Sequence, residues 1–459
     1  MMRMAAFSFS NTISLLKGEG TRAKAMRASV WVILTVVFSN GVRLLSNMIL
    51  TRLLFPEAFG LMALVQIFIT GLQTFSDVGI RISIIQNKRG DDPDFLNTAW
   101  TLQIIRGVLL WVAACVLAWP ASVIYGQPQL MLLLPVTALS LVLAGMMPTR
   151  VATANRHLNL GRLTMVGLTV QLVTVVSTAL LAWWWHSVWA LAVSALIAAA
   201  VNNTLSRHLL PGEPNRLRLE RDSVREIIGF GKFVFLSTIS TFLITTSDRA
   251  ILGAYFDVDK IGIYTVGLLI GTLPNLVVST LSNKVLLPLY RMKPTTENAG
   301  NRRKLFRARR IIAMIAVLVS AILAFIGPWL IGLLYDPRYA LAGPMVTLFT
   351  LSYTAANAVV NSEDVLLANG DSRRYFIHQA SVAALQICFT FLGIHYFGLL
   401  GAILAPGLAK LVTYPIRAAM TARYGALDLR ADMLFMLVGG TLTGFACFLH
   451  WPELRQLLP

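Results

Sequence analysis

Thirteen long apolar stretches follow one another along the chain with short loops between them. A helix needs about 20 apolar residues to cross a bilayer, and helices are favoured there because they satisfy their own backbone hydrogen bonds. The chain is 56% apolar and only 13% charged, whereas about a quarter of a soluble domain is charged. We therefore predict an all-α polytopic membrane protein with about 13 spans, within a range of 12–14. The predicted spans are 28–53, 58–86, 95–118, 129–151, 162–184, 187–206, 226–254, 261–290, 309–334, 340–368, 375–397, 399–421 and 432–450.

The loop charges predict the orientation of these spans. Of the 39 Lys and Arg residues, 28 fall in the N-terminal segment 1–27 and the loops after even-numbered spans, and four fall on the opposite side. The 28 include five residues at the ends of spans that are counted with the adjoining loops: Arg150, Arg162, Arg309, Arg310 and Arg417. Basic loops stay in the cytoplasm. The N-terminus is therefore predicted to be cytoplasmic. The net charge of +18 then reflects topology rather than nucleic-acid binding.

Sequence motifs of enzymes and of cofactor or metal binding are missing. The chain has no GxxxxGK[ST] loop, no HExxH pair and no loop long enough for a soluble catalytic domain. Its three cysteines, Cys115, Cys388 and Cys447, lie far apart in apolar segments, which excludes a CxxC metal pair. We expect no enzyme activity, no metal and no cofactor, so the function takes place between the helices.

The chain divides near its middle at a basic linker, 207–225. An offset of 202 residues aligns Phe59-Gly60-Leu61 with Ile261-Gly262-Ile263. This match predicts two six-helix lobes of the same orientation, 28–206 and 226–421, followed by an additional helix at 432–450. Parallel repeats of this kind are a common transporter plan, with the substrate held between the halves.

Several segments resemble the polysaccharide-transporter flippases of the Wzx type. The run Ser46–Ala63, SNMILTRLLFPEAFGLMA, is similar to the opening signature of that family, and Phe75–Ile80, FSDVGI, to its next segment. Asp248–Gly253, DRAILG, resembles the corresponding stretch of the second half. The resemblance implies a MATE-like fold with two lobes around a central cavity. It also implies movement of undecaprenyl-pyrophosphate-linked sugar repeat units across the bacterial inner membrane. Family members commonly have 12 or 14 spans, so the predicted thirteen departs from the pattern.

Four cations inside the predicted spans are candidate substrate contacts. A charge at mid-bilayer costs about 2.5–3.5 kcal/mol on insertion scales, so each requires a partner or water. Arg106 and Lys410 lie near the middle of their spans, and Arg43 and Arg249 lie nearer the outer ends. Each either faces a wet cavity or is buried beside a polar partner. Arginine forks suit phosphate oxygens, so the excess of deep bases over deep acids favours an anionic cargo.

Polar and acidic residues in the spans supply further candidates. Either the asparagines line a sugar-binding cavity or they join neighbouring helices, as such residues commonly do. The acids are candidates for coupling an ion, although Arg81 and Arg249 lie close enough to neutralise them. The candidate polar residues are Asn47, Asn275, Asn357 and Asn361, and the candidate acids are Asp77 and Asp248.

We thus expect a flippase for undecaprenyl-pyrophosphate-linked oligosaccharides, serving exopolysaccharide or O-antigen synthesis by alternating access. Membrane lipid, a polysaccharide polymerase and export machinery are the expected partners. The alternative is a cation-coupled small-molecule exporter of the multidrug type on the same fold. That alternative requires a membrane-embedded carboxylate, for which Asp77 is the first-half candidate.

Overall fold

The computed structural model describes residues 38–76, 79–157, 159–292, 295, 297–360 and 362–458. The predicted segment 1–27 and the first ten residues of the first span lie outside this part of the chain. Most of the described residues are helical, and no β-strand occurs among them.

The first half consists of eight helical segments. Residues 38–53 form α1. The others are α2 Pro56–Phe75, α3 Ile80–Gln86, α4 Pro93–Ile124, α5 Leu130–Gly145, α6 Arg150–Arg156, α7 Leu160–Trp185 and α8 Trp189–Leu209. The second predicted span thus contains two helices, since α2 ends at Phe75 and α3 begins at Ile80. Gly79 precedes α3 with φ of 65°, a conformation that glycine adopts without steric cost.

The second half begins after the linker. Its helices are α9 Arg221–Tyr255, α10 Val258–Gly271, α11 Leu273–Leu281, α12 Leu287–Met292, α13 Ala299–Leu334, α14 Ala342–Val359, α15 Asp364–Ala368, α16 Ser372–Val412, α17 Tyr414–Ala422, α18 Leu429–Leu449 and α19 Trp451–Leu454. A π-helical turn, Ser282–Leu286, joins α11 to α12. Short 3₁₀ turns follow α13 and α19.

Prolines and a glycine account for the main breaks. Pro274 starts α11, where the chain bends by 46° from α10, and Pro148 lies in the 56° bend between α5 and α6. Proline removes a helical hydrogen bond and clashes with the preceding turn. In α16, Gly398 has φ 58° and ψ −137°, which reverses the chain. The backbones of Gly393 and Gly401 then lie close together, so α16 is a hairpin. Its first arm matches predicted span 375–397, and its second arm together with α17 matches 399–421.

The apolar helices agree with a multi-pass membrane protein. Seven helices in the described part are long and apolar enough to span a bilayer, or nine if each bent pair counts as one span. The number thirteen therefore stays a prediction. Large apolar side chains such as Val116, Leu180 and Phe448 point outward, with 60–74% of their surface exposed, as lipid-facing residues would. Trp183 and Trp184 are also exposed, as tryptophans at a membrane interface would be.

The helices form two lobes built around several apolar cores. The first core joins α2, α4, α5, α7 and α8 and also contains Val258 and Ile261 of α10. The second half has further cores built on α10, α13, α14 and α16. The predicted two-lobed helical fold is confirmed. We call these the N-lobe (α1–α8) and the C-lobe (α9–α17).

The two lobes meet at a pair of glycines that the 202-residue offset relates. A Cβ atom on Gly60 would lie 2.0 Å from the carbonyl oxygen of Val258, and one on Gly262 would lie 1.9 Å from the carbonyl oxygen of Pro56. The 202-residue offset converts one contact into the other, because Val258 and Pro56 are also 202 residues apart. Around them the Tyr339 hydroxyl donates a hydrogen bond of 3.1 Å to the carbonyl oxygen of Leu54. These contacts close the lobes at the end that the charges predict to be periplasmic.

The linker 207–225 is bound along the N-lobe at the opposite end. The backbone N–H groups of Arg216 and Glu220 donate to the side chains of Asn97 and Thr98 at 2.8 and 3.0 Å. Arg89 forms ion pairs with Glu220 at 2.8 Å and with Asp92. The hydrogen bonds from Ser223 and Arg89 hold the pKa of the Glu220 carboxyl below its usual value.

Candidate substrate-binding cavities

The N-lobe contains a cavity of about 320 Å³ beside the break in the second span. We call it the N-lobe cavity. The Arg106 guanidinium lies in its wall, with Nε donating to Ser76 Oγ at 2.9 Å and Nη2 to the carbonyl oxygen of Gln73 at 2.6 Å. Both acceptors belong to the carboxyl end of α2, where the helix dipole favours a cation. The remaining walls include Gln73, Gln103 and Thr238.

A second cavity of about 320 Å³ lies between α1 and the α9–α10 pair. We call it the outer cavity. Its walls include Arg43, Asn47, Arg249, Thr265 and Thr272. Arg249 Nη2 donates to the carbonyl oxygen of Thr245 at 2.6 Å, and Asn47 Nδ2 to that of Arg43 at 2.9 Å. The structure thus brings Arg43 and Arg249 from the two halves of the sequence to one cavity.

The third cavity, of about 100 Å³, lies inside the C-lobe. We call it the C-lobe cavity. Lys410 lines it, with Nζ 4.8 Å from the ring centroid of Tyr353, a distance at which a cation is attracted to the ring face. Asn275 lies in the same wall. The sequence prediction named both residues without relating them.

Three further residues of the C-lobe cavity were missed as candidates. Arg417, Glu363 and His378 lie near the ends of the predicted spans 399–421, 340–368 and 375–397, and none was named as a substrate contact. In the structure all three line the cavity, and Arg417 Nη1 lies 3.5 Å from Glu363 Oε2. Arg417 follows Lys410 by seven residues, a helical repeat that points both to one side. That spacing was the available signal in the sequence.

Other predicted residues lie away from the cavities. Asp248 is buried and accepts a hydrogen bond of 2.7 Å from the Tyr264 hydroxyl, which ties α9 to α10. Asn357 is also buried, and its Nδ2 donates to Ser320 Oγ at 3.4 Å. Asp77 and Asn361 lie outside the described residues. The structure therefore brings two of the four predicted asparagines and all four predicted cations to cavity walls.

Arg309 is a charge whose placement the sequence did not reveal. It was counted with the basic loop before span 9, but its side chain is only 4% exposed and lies 3.0 Å from Asp432. It also donates to the carbonyl oxygens of Ala426 and Val359, the latter at 3.1 Å. This network connects α13 and α14 of the C-lobe to α18. Arg309 is therefore a buried structural charge.

One helix, α9, contributes to all three cavities. Thr238 lines the N-lobe cavity, Ile244 the C-lobe cavity and Arg249 the outer cavity. At 1.5 Å per residue, these positions span about 16 Å along the helix. The first turns of α9 pack on the N-lobe through Ile227. Gln386 of the C-lobe donates to the Ile244 carbonyl oxygen at 2.9 Å.

The charges on the three cavity walls are mostly positive. The described lining residues include five cations, Arg43, Arg106, Arg249, Lys410 and Arg417, and one acid, Glu363. Low-dielectric walls strengthen such a field and concentrate it on an anion inside the cavity. Neutral hydrogen-bonding groups such as Gln103 and Thr265 lie among these cations. The arrangement is suited to a ligand that combines negative charge with many hydroxyl groups.

Fold and cavities together define a multi-pass helical membrane protein of the MATE-like class. The chain aligns with the inward-closed conformation of the lipid II flippase MurJ at 12% identity, covering 93% of this chain and 100% of MurJ, with a TM-score of 0.65. It aligns with an inward-facing multidrug resistance transporter of the MATE family at 14% identity, covering 89% and 95%, with a TM-score of 0.61. At these identities the likeness establishes the fold alone.

The sequence comparisons establish the family. The family described as polysaccharide biosynthesis protein matches residues 49–342, which is more than half of the chain, so the chain belongs to that family. It is 25% identical over 275 residues to the lipopolysaccharide biosynthesis protein WzxC of Escherichia coli (strain K12), covering 59% of this chain and 55% of WzxC. It is 20% identical over 338 residues to the succinoglycan biosynthesis transport protein ExoT of Rhizobium meliloti (strain 1021), covering 72% of this chain and 66% of ExoT. The resemblance to Wzx-type proteins is thus confirmed, and the chain spans less than two thirds of the length of either relative.

Proposed function

We propose that this protein is a flippase that moves undecaprenyl-pyrophosphate-linked sugar repeat units from the cytoplasmic to the periplasmic leaflet of the bacterial inner membrane. Its role is transport for exopolysaccharide or O-antigen synthesis rather than catalysis. The observation that carries this proposal is the position of Arg106, Lys410, Arg43 and Arg249, each in the wall of a cavity. Family membership and the names of the two relatives support the polysaccharide context.

The chemistry of the cargo matches these walls. A pyrophosphate carries negative charge and several acceptor oxygens, and arginine supplies a planar fork of donors that pairs with them. Arg106 is held at the break in the second span by Ser76 and Gln73, so its position is defined before a ligand arrives. Asparagine, glutamine and threonine groups nearby supply hydrogen bonds for sugar hydroxyls. The polyprenyl tail stays in lipid between the lobes.

Transport proceeds by alternating access in this proposal. The glycine contact between Gly60 and Gly262 keeps the periplasmic end closed while the headgroup enters from the cytoplasm. The lobes then separate at that end and release the headgroup outside. The N-terminus is cytoplasmic, and lobes 28–206 and 226–421 move about the linker 207–225. An inside-negative potential favours expulsion of the anion, because each charge crossing 100 mV corresponds to about 2.3 kcal/mol.

The decisive experiment is a flipping assay in proteoliposomes with a fluorescent undecaprenyl-pyrophosphate-linked oligosaccharide. Arg106→Gln removes a charge-assisted hydrogen bond worth about 1.5–3 kcal/mol, so flipping is expected to slow roughly tenfold or more. Arg303→Gln is the matched control, because Arg303 is exposed at the cytoplasmic start of α13. Thermal unfolding of both variants checks folding.

Two results would contradict the proposal. If wild type and Arg106→Gln flipped the lipid equally at equal protein content, the cavity cations would not take part in the mechanism. Resistance of cells to cationic drugs, lost in Asp77→Asn while lipid-linked sugars are not flipped, would favour the multidrug-type exporter instead.

A further inference from the structure

A separate cavity of about 260 Å³ lies at the predicted cytoplasmic end of the N-lobe. We call it the rim pocket. Its described walls consist of Trp100, Pro148, Arg150, Arg207, Pro214 and Asn215. It shares no described lining residue with the N-lobe, outer or C-lobe cavities. The proposed flipping cycle does not use it.

The linker holds the rim pocket in a defined shape. Asn215 Oδ1 accepts from the backbone N–H of Thr149 at 3.0 Å, and its Nδ2 donates to Thr149 Oγ1 at 2.7 Å. Arg150 donates through Nε to the carbonyl oxygen of Glu213 at 3.2 Å. Trp100 Nε1 donates to the carbonyl oxygen of Met146 at 3.2 Å, which orients the indole. The pocket is thus assembled by three helices and the linker.

The two arginines in the rim pocket use only some of their N–H donors in the hydrogen bonds described here. Each guanidinium carries five N–H donors. Arg207 donates once, from Nη2 to the carbonyl oxygen of Met146 at 3.4 Å, and Arg150 donates through Nε and Nη1 to backbone carbonyls. Within the described chain no carboxylate pairs with either arginine, and none lines the pocket. Among the described residues both charges therefore lack a carboxylate partner and contact backbone carbonyl oxygens, and Arg207 is exposed.

The position matches the headgroup layer of the membrane. Arg150 begins α6 and Arg207 lies near the end of α8, where the apolar helices stop. Trp100 lies seven residues after the start of α4, or about 10 Å along the helix. Tryptophan is favoured at this depth, and the cytoplasmic leaflet carries anionic lipids. The volume is near the lower end for ligand pockets, a size suited to a small headgroup rather than a sugar nucleotide.

We propose that the rim pocket binds the phosphate group of an anionic phospholipid headgroup in the cytoplasmic leaflet. The arginine forks donate hydrogen bonds to the phosphate oxygens, and the indole of Trp100 packs against the glycerol part. A bound lipid then joins the linker to α4, α6 and α8. The same forks would also accept a soluble phosphate, so the test separates the two sources.

Native mass spectrometry of the purified full chain, titrated with phosphatidylglycerol, measures lipid binding. Wild type is expected to retain one lipid that Arg207→Gln binds roughly tenfold more weakly, because a charge-assisted contact is lost. Arg216→Gln is the matched control, since Arg216 is exposed on the same linker and does not line the pocket. Arg207→Lys keeps the charge without the fork and is expected to bind with intermediate strength.

A parallel arm measures thermal unfolding with inorganic phosphate and with glycerol 1-phosphate. Stabilisation of wild type but not of Arg207→Gln, without a retained lipid, would support the pocket with a soluble phosphate as its ligand. If Arg207→Gln and Arg216→Gln weakened lipid binding equally, the proposal would be overturned, because the net charge rather than the pocket would then determine binding. A lack of binding in both arms would also overturn it. Flipping by the central cavities is measured separately, so failure here leaves that proposal standing.

Discussion

The contact between Gly60 and Gly262 sets how closely the two lobes approach at the predicted periplasmic end. Gly262→Ala would place a Cβ 1.9 Å from the carbonyl oxygen of Pro56. Non-bonded atoms need about 3.5 Å, so the lobes must move apart by about 1.5 Å. A gap of 0.5–1 Å already loses a quarter to a half of a contact's energy. The substitution should therefore weaken the whole periplasmic seal.

The size of the effect follows from the overpacking. Such changes cost about 1–3 kcal/mol, which corresponds to a shift of roughly 5- to 150-fold toward lobe arrangements that relieve the clash. Alanine is a better helix former than glycine by about 1 kcal/mol. That gain applies equally to the closed and open arrangements, so it does not change their ratio. Only the steric clash with Pro56 therefore changes the ratio of closed to open lobe arrangements.

Thiol accessibility provides the assay. Thr265 lines the outer cavity, and Thr265→Cys is introduced after Cys115, Cys388 and Cys447 are replaced. An impermeant maleimide added from the periplasmic side should label this cysteine at least about fivefold faster when Gly262→Ala is present. Gly440→Ala is the matched control, because no atom lies within 4 Å of the Cβ it would add.

The reasoning would be refuted by unchanged labelling in Gly262→Ala at unchanged protein content. The same conclusion would follow if Gly440→Ala accelerated labelling equally. Either result would mean that this glycine contact does not hold the lobes together.

Three further predictions concern stability. Arg309→Ala leaves a buried carboxylate unpaired and should destabilise the protein by about 3–5 kcal/mol, seen as a lower midpoint in thermal unfolding; an unchanged midpoint would contradict the buried pair. Gly398→Ala forces a side chain into a left-handed conformation, φ 58°, and should cost about 1–3 kcal/mol, measured as a lower midpoint and lower yield. The pKa of Glu220 is lowered by hydrogen bonds from Ser223 and Arg89. The contribution of the Glu220 carboxylate to folding stability is therefore present at neutral pH and is lost as the pH falls below about 4.5. Glu220→Gln should flatten the dependence of the thermal midpoint on pH in that range, and an unaltered slope would exclude this contribution.

The helical class and the presence of several bilayer-length apolar helices were predictable from the sequence alone. A bilayer imposes a local rule on each segment, since about 20 apolar residues must form a helix whatever their neighbours are. The same rule identified Arg43, Arg106, Arg249 and Lys410, because a charge inside such a segment is conspicuous. The 202-residue offset also pointed to the glycines that meet between the lobes.

Only the tertiary structure decided which of these charges share a cavity and which are buried. Arg309 and Arg417 both lie at the end of an apolar segment, yet one pairs with Asp432 inside the C-lobe and the other lines a cavity. The position of a residue within an apolar segment indicates how deep in the membrane it lies. It carries no information on which neighbouring helix faces that residue. Partners such as Glu363 come from distant parts of the chain, so packing between helices decided whether each cation is a structural charge or part of a cavity wall.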